Sequence, residues 1–162
     1  MLPPHFPTQR EKVGQVCQIV RLRPRQSGPQ CPKPQSILVA NTHLFYHPMA
    51  DHVRVLQAYA ICHKLEEIRR EGQHPDPLLI CGDFNSIPFH PVLSKIKKHL
   101  KIINQQYENY SYTFPTNYPI LQLDKCYSNE YITNNITLLD STPDATCKFS
   151  DHLPLINQFL IK

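Results

Sequence analysis

The chain has 162 residues, 41% hydrophobic and 9% aromatic, with 17 Lys+Arg against 13 Asp+Glu for a formal charge of +4. That length suits one compact domain with its own core, and no apolar run approaches the ~20 residues that a membrane-spanning helix needs. Aromatic and aliphatic clusters argue against a disordered chain, and the mild positive charge fits a solvated basic surface as well as an anionic partner such as a phosphate.

Pro3, Pro4, Pro7, Pro24, Pro29, Pro32 and Pro34 interrupt regular structure through residues 1–36, because proline fixes φ and lacks the N–H donor. Residues 1–12 are expected to be a disordered, proline-rich start, and residues 13–162 the folded part. Apolar and polar residues alternate over 13–22, which predicts a strand, with 23–36 a loop. Residues 36–44 are mostly apolar on both faces, as in a central strand, and end in the polar Asn41, Thr42 and His43.

Asp51 offers an N-cap, and Val53, Leu56, Ala60, Ile61, Leu65 and Ile68 recur at helical spacing up to Arg69, Arg70 and Gly72, predicting a helix over 51–70. After a loop at 73–77, the run 78–81 reads as a second buried strand leading into Gly82-Asp83-Phe84-Asn85-Ser86. Strand, helix and strand at this length suit a crossover connection, so the fold class is α/β. Residues 92–100 predict a second helix, with Lys95, Lys97, Lys98 and His99 toward solvent and the last turn. Short strands are expected at 112–114, 121–127, 136–139 and 153–161.

Cys17, Cys31, Cys62, Cys81, Cys126 and Cys147 form no C-x-x-C pair, so neither a zinc ribbon nor a redox motif is indicated. They read as reduced thiols, and with no secretory signal in the sequence an intracellular compartment is expected. His63, His74, His90 and His99 sit among polar or helical residues and read as surface.

Three polar clusters end apolar runs: Asn41-Thr42-His43, Gly82-Asp83-Phe84-Asn85 and Ser150-Asp151-His152, with Leu123-Asp124 before the last. Side chains at strand ends in an α/β sheet converge on one crevice. Acids buried there cost several kcal/mol, on the order of ~3 or more each, unless paired or bound to a cation. Water attack on a phosphodiester suits this set. A divalent cation neutralises the phosphate, a histidine accepts the water proton, a carboxylate fixes the tautomer and amides hold the non-bridging oxygens. Asp83, Asp124 and Asp151 supply carboxylates, His43 and His152 imidazoles, Asn41 and Asn85 amides. Oxygen-rich ligation points to magnesium, or manganese, rather than zinc. Taken singly, Asp83 is also explained by turn chemistry and Asp151-His152 by a loop before a strand.

The joint order is more specific. N-T-H-L at 41–44, G-D-F-N-S-I-P at 82–88, L-D at 123–124 and S-D-H-L-P-L at 150–155 resemble, in that order, the C-terminal half of the endonuclease/exonuclease/phosphatase superfamily. The resemblance covers about residues 13–162. Asn41 to Pro48, followed by Arg54 and Gln57, looks most like the branch of 2′,5′-phosphodiesterases, Angel-type proteins, nocturnin and poly(A) deadenylases. Tyr112-Thr113-Phe114-Pro115 before Leu123-Asp124 is also similar to smaller hydrolases of the family.

The resemblance implies the C-terminal half of a DNase I-like two-sheet α/β sandwich with helices on its outer faces. It implies His152 as general base oriented by Asp124, and Asp83 aligning water or assisting the leaving oxygen. Asn85, Asn41 and His43 would contact the scissile phosphate, Asp151 and Asp83 would lie at the metal, and Phe114, Asn117 and Tyr118 would lie where related deadenylases place base contacts. The implied substrate is single-stranded RNA or oligoadenylate, hydrolysed with magnesium.

Two departures stand out. Lys125 follows Asp124 where family members carry an aromatic residue or histidine, so its ammonium is expected to pair with the acid, to touch phosphate, or to mark a relaxed site. The N-terminal half with its metal-binding Glu has no counterpart, since Glu11 is the only acid before residue 51. That implies a missing half or a protein partner covering the exposed sheet. It also keeps two other functions in view: an inactive homologue that binds RNA or protein, and a phosphomonoesterase or phospholipase of the same superfamily.

Overall fold

In the computed structural model, which describes residues 15–23, 36–71, 77–100, 112–128, 136–146 and 149–161, the apolar runs become a four-stranded sheet. Its strands are β1 (Cys17–Leu22), β2 (Ile37–His43), β3 (Leu78–Asp83) and β4 (Asp124–Ser128), in that spatial order. β2 and β3 are parallel, joined through α1 (Asp51–Arg70), as the crossover spacing predicts. The two outer pairings are antiparallel. The expected tail at 1–12, most of the loops at 23–36 and 73–77, His74, Cys31 and Cys147 lie outside the described residues.

Because side chains alternate faces along a strand, Leu38 and Ala40 of β2, Leu78 and Ile80 of β3 and Tyr127 of β4 point to one side. There they meet Ala58, Cys62 and Leu65 of α1 and Val92, Leu93 and Ile96 of α2 (Pro91–His99). Burying a side chain of this size stabilises by about 1.5–3 kcal/mol. Phe84, fully buried just past β3, packs edge-on against Tyr127 with ring centroids 5.7 Å apart. It anchors the turn that carries Asp83 and Asn85.

Helix α1 has the predicted bounds but a different buried stripe. Arg54, Ala58, Cys62 and Leu65 face inward, whereas Leu56 is 67% exposed. The expected N-cap is corrected as well. Ala50 occupies that position without a side-chain bond, and Asp51 lies in the first turn, paired with Arg54 and with His90. α2 starts as its sequence allows, with Pro91 in the first turn and His90 Nδ1 accepting from the Val92 amide at 3.3 Å.

The C-terminal strands form a separate antiparallel pair, β5 (Ile136–Pro143) with β6 (Leu155–Ile161), whose register shifts between Leu138 and Asp140. β6 touches β4 across the two sheets. The result is a partial α/β sandwich of the DNase I-like kind, with both described helices on the outer face of the larger sheet. The strand expected at 112–114 reduces to one isolated bridge, Phe114 with Leu121. That segment is a tight loop held by its own backbone bonds, among them Thr113 N to Leu121 O at 2.9 Å and Leu121 N to Phe114 O at 2.8 Å. No helix among the described residues is long and apolar enough to cross a membrane.

Candidate active site

Strand register builds the site. His43 of β2, Asp83 of β3 and Asp124 of β4 are direct partners across three neighbouring strands. They therefore share one rung, at the end of β2 and β3 and the start of β4, on the face away from the helices. Asp83 Oδ2 lies 3.5 Å from His43 Nε2, and Asp83 Oδ1 accepts the Asn85 amide at 2.7 Å.

Gly82 makes this rung possible. Its φ is +129°, and an added Cβ would lie 1.8 Å from the backbone oxygen of Thr42. Only glycine adopts that conformation readily, so β3 can approach β2 closely where Asp83 must meet His43. Past the strand, Asn85 has φ +46° and its side-chain nitrogen donates to the Leu44 carbonyl at 2.8 Å. Asparagine tolerates this left-handed region better than most residues.

The fourth contributor arrives from the loop before β6. His152 Nδ1 is 2.7 Å from Asp124 Oδ2, and His152 Nε2 is 3.7 Å from Asp83 Oδ2. The loop is fixed at several points. Ser150 Oγ accepts from the His152 amide at 3.1 Å, Thr116 Oγ1 donates to the Ser150 carbonyl at 2.7 Å, and the Leu153 amide donates to the Thr113 carbonyl at 2.8 Å. Phe114 packs against the imidazole with centroids 4.8 Å apart. Thr113, absent from the predicted set, donates its hydroxyl to the same Asp124 Oδ2 at 2.6 Å. A carboxylate held by a hydroxyl on one side presents a fixed acceptor to the imidazole on the other.

The electrostatics follow from this packing. Burial raises the Asp83 pKa above the usual carboxylate range, helped by the charge of Asp124 and opposed by the Asn85 amide and by His152 and His43. For His152 burial acts downward, but the Asp124 hydrogen bond and charge, with Asp83 and Asp151 behind them, leave its pKa above the ordinary histidine value.

These residues line a groove of about 920 Å³. His43, Asp83, Asn85, Phe114, Asp124, Asp151 and His152, all expected at the site, border it. Asn41 instead borders an adjoining groove of about 400 Å³, which shares Asp124, Ser150 and His152 with the first. Asn117 and Tyr118 are exposed and border neither of these grooves. Asp151 is exposed at the rim, with Ser150 Oγ donating to its carboxylate at 3.3 Å.

Lys125 neither pairs with Asp124 nor faces the groove with its ammonium, which is bound to backbone carbonyls instead. It is 6% exposed and donates to the carbonyls of Ser86 (2.7 Å), Gln122 and Leu123 (3.4 Å). Side-chain alternation sends it to the face opposite Asp124, where it ties the turn after Asp83 to the chain entering β4. Burial drives its pKa down to about 7, against the pull of Asp124 and Asp83.

Arg54 plays the same part for the loop after His43. It is 3% exposed and donates to the carbonyls of Phe45 (3.1 Å), His47 (2.7 Å) and Pro48 (3.1 Å) as well as to Asp51. Gln57 Oε1 accepts from the Phe45 amide at 2.9 Å. His90, expected on the surface, is 17% exposed, borders the groove, and holds Asp51 at 3.1 Å. Nothing in the hydrophobic periodicity marks these inward polar side chains; the spacing of Arg54 and Gln57 after His43 was the available signal.

One atom from each of Asp83, Asp124 and His152 lies within 4.8 Å of the other two, a spacing that a metal ion can bridge. The donors fit a hard cation. Among the described residues Asp83 Oδ2 has long contacts to imidazoles, 3.5 and 3.7 Å, and burial raises its pKa. Two carboxylate oxygens and an imidazole nitrogen suit a divalent cation.

An imidazole held at one nitrogen by a carboxylate and facing a second carboxylate with the other, above an α/β sheet edge, is an arrangement able to take and return a proton. Residues 2–152 match the Endonuclease/Exonuclease/phosphatase family, and the chain belongs to that family. Among curated relatives, protein angel homolog 2 of Danio rerio is 44% identical over 66 residues, covering 38% of this chain and 11% of the relative. The 2',5'-phosphodiesterase 12 of Mus musculus is 34% identical over 92 residues, covering 54% of this chain and 15% of the relative. The solved catalytic domain of human nocturnin superimposes with a TM-score of 0.69 at 21% identity, over 91% of this chain and 53% of that domain. The chain thus spans about half of that domain and a small share of the curated relatives' length.

Proposed function

We propose that this chain carries the general base, its orienting acid and part of the cation site of a magnesium-dependent phosphodiesterase that removes nucleotides from the 3′ end of adenylate RNA. The observation that supports it most is the pairing of His152 with Asp124 at 2.7 Å while its other nitrogen faces Asp83. In that arrangement Asp124 accepts from Nδ1–H, leaving Nε2 as the base that takes a proton from water in the groove. Asp124 then stabilises the imidazolium that forms.

Asp83, with Asp151 at the rim, would hold the cation. Bound there, magnesium supplies charge neutralisation at the phosphate oxygens. His43, on the same rung as Asp83, donates to a non-bridging oxygen. The Asn85 amide nitrogen already serves the Leu44 carbonyl, which leaves its oxygen to orient water or a ribose hydroxyl. Phe114 and Tyr46 border the groove and offer aromatic faces for the terminal bases. The relative named a 2',5'-phosphodiesterase supports a phosphodiester over an inositol phosphate as substrate.

The test is release of adenosine monophosphate from 2′-5′ and 3′-5′ adenylate oligomers with magnesium, by a purified full-length version in which the rest of the cation site is supplied. The expected result is metal-dependent release that falls about 10²–10⁴-fold in His152→Ala, the usual contribution of a positioned base. RNA binding without release, or release indifferent to His152, overturns the proposal.

A further inference from the structure

The face that carries the acids also carries two thiols. One same-face rung back along the sheet from His43, Asp83 and Asp124 lie Asn41, Cys81 and Cys126, again direct partners across β2, β3 and β4. Both cysteines are free and partly exposed. The Cys81 sulfur contacts the Asn41 side-chain oxygen at 3.9 Å and the Ala40 carbonyl at 3.5 Å. Cys81 borders the smaller groove, together with Asp124 and His152.

Directly opposed residues on antiparallel strands have Cα atoms about 4.5–5.5 Å apart, which falls inside the ~4.4–6.8 Å range that a disulfide spans. We propose that Cys81 and Cys126 form a peroxide-oxidisable thiol pair, closing to a cross-strand disulfide beside the acid rung. The chemistry is a two-electron oxidation. The Cys81 sulfur attacks one peroxide oxygen, the O–O bond breaks, and a sulfenic acid and one water result. The Cys126 sulfur then attacks the sulfenic sulfur, the S–O bond breaks, and the oxygen leaves as a second water with the two thiol protons accounted for. A dithiol reductant reverses the reaction.

The groove supplies access for a small oxidant at Cys81, and the register places the resolving thiol directly opposite it on β4. Cys62, by contrast, is buried between the helices and has no opposed cysteine on a neighbouring strand. The inference does not depend on the proposed hydrolysis, because it concerns the sheet and is read by mass rather than by activity.

The experiment treats the reduced, folded chain with hydrogen peroxide, alkylates the remaining thiols with N-ethylmaleimide, and maps non-reduced peptides by mass spectrometry. The expected result is one dominant linked pair joining the Cys81 and Cys126 peptides, lighter by two hydrogens, lost on adding dithiothreitol. In urea the same treatment should scatter oxidation over the cysteines, since the strand register that directs it is gone. Cys126→Ser should leave Cys81 as sulfenic or sulfinic acid with no linked peptide, and the wild-type map decides the matter if that variant does not fold. Alkylation of Cys126 in the folded wild type while Cys81 is oxidised, or dominant linkage to another cysteine, overturns the proposal.

Discussion

Replacing Gly82 by alanine strikes the point on which the acid rung depends. The new Cβ would sit 1.8 Å from the Thr42 oxygen, a backbone atom that cannot swing away as a side chain can, at a φ of +129°. Holding an alanine in that sparsely populated region costs about 1–3 kcal/mol. Relieving the overlap separates β2 from β3 at the Thr42–Gly82 register pair, with loss of one or two ladder hydrogen bonds at about 1 kcal/mol each. The expected destabilisation is therefore about 2–5 kcal/mol, a large part of the ~5–15 kcal/mol that holds a typical domain together. Urea unfolding followed by circular dichroism measures it. With a slope of about 2 kcal/mol per molar urea, the midpoint should fall by roughly 1–2.5 M. Gln18→Ala, an exposed change on β1, is the control and should stay within about 0.5 kcal/mol. A Gly82→Ala midpoint matching that control would refute the claim that close strand approach at this position is obligatory.

Two further predictions concern ionisation. Asp124→Asn removes the charge of Asp124 and weakens its hydrogen bond, leaving only Asp83 and Asp151 to oppose the downward pull of burial on the His152 pKa, so the imidazole titration midpoint followed by NMR should drop below its wild-type value. An unchanged midpoint would mean that the 2.7 Å contact is not maintained in solution. Lys125, with a pKa near 7 when folded and an ordinary value of 10.5 when unfolded, makes the unfolded state bind more protons between those limits. Stability from this group accordingly rises with pH across that window, by up to about 1.4 kcal/mol per unit. The stability difference between wild type and Lys125→Met, measured by urea unfolding at pH 7, 8 and 9, should grow in favour of wild type as pH rises, and parallel curves would contradict the buried placement.

What the sequence made legible was whatever leaves a pattern of apolar residues. The spacing of Ala60, Ile61, Leu65 and Ile68 marks α1, and the two apolar runs around it mark a parallel pair, although only the helix-facing side of each strand is fully buried. The site followed from polar residues at the ends of those runs, since parallel register puts His43 beside Asp83 once the crossover is accepted. Burial of long polar side chains was not legible. Arg54 and Lys125 lie inside because backbone carbonyls surround their charged ends, and periodicity treats both as surface residues. Thr113 is illegible for a related reason: its bond to Asp124 joins a loop to a strand, and no spacing rule connects them. Leu56 reads as inward on aliphatic periodicity alone, whereas the buried face includes Arg54.

A double-mutant cycle on hydrolysis tests the central claim most directly, that Asp124 acts through His152 as one unit. Single-turnover release of adenosine monophosphate from an adenylate oligomer would be compared for wild type, His152→Ala, Asp124→Asn and the double variant. The account predicts a loss of about 10²–10⁴ for His152→Ala and a double variant no slower than that one, because an orienting acid has nothing left to orient. Losses that multiply, with the double variant slower than His152→Ala by the full Asp124→Asn factor, would show two independent roles and contradict it.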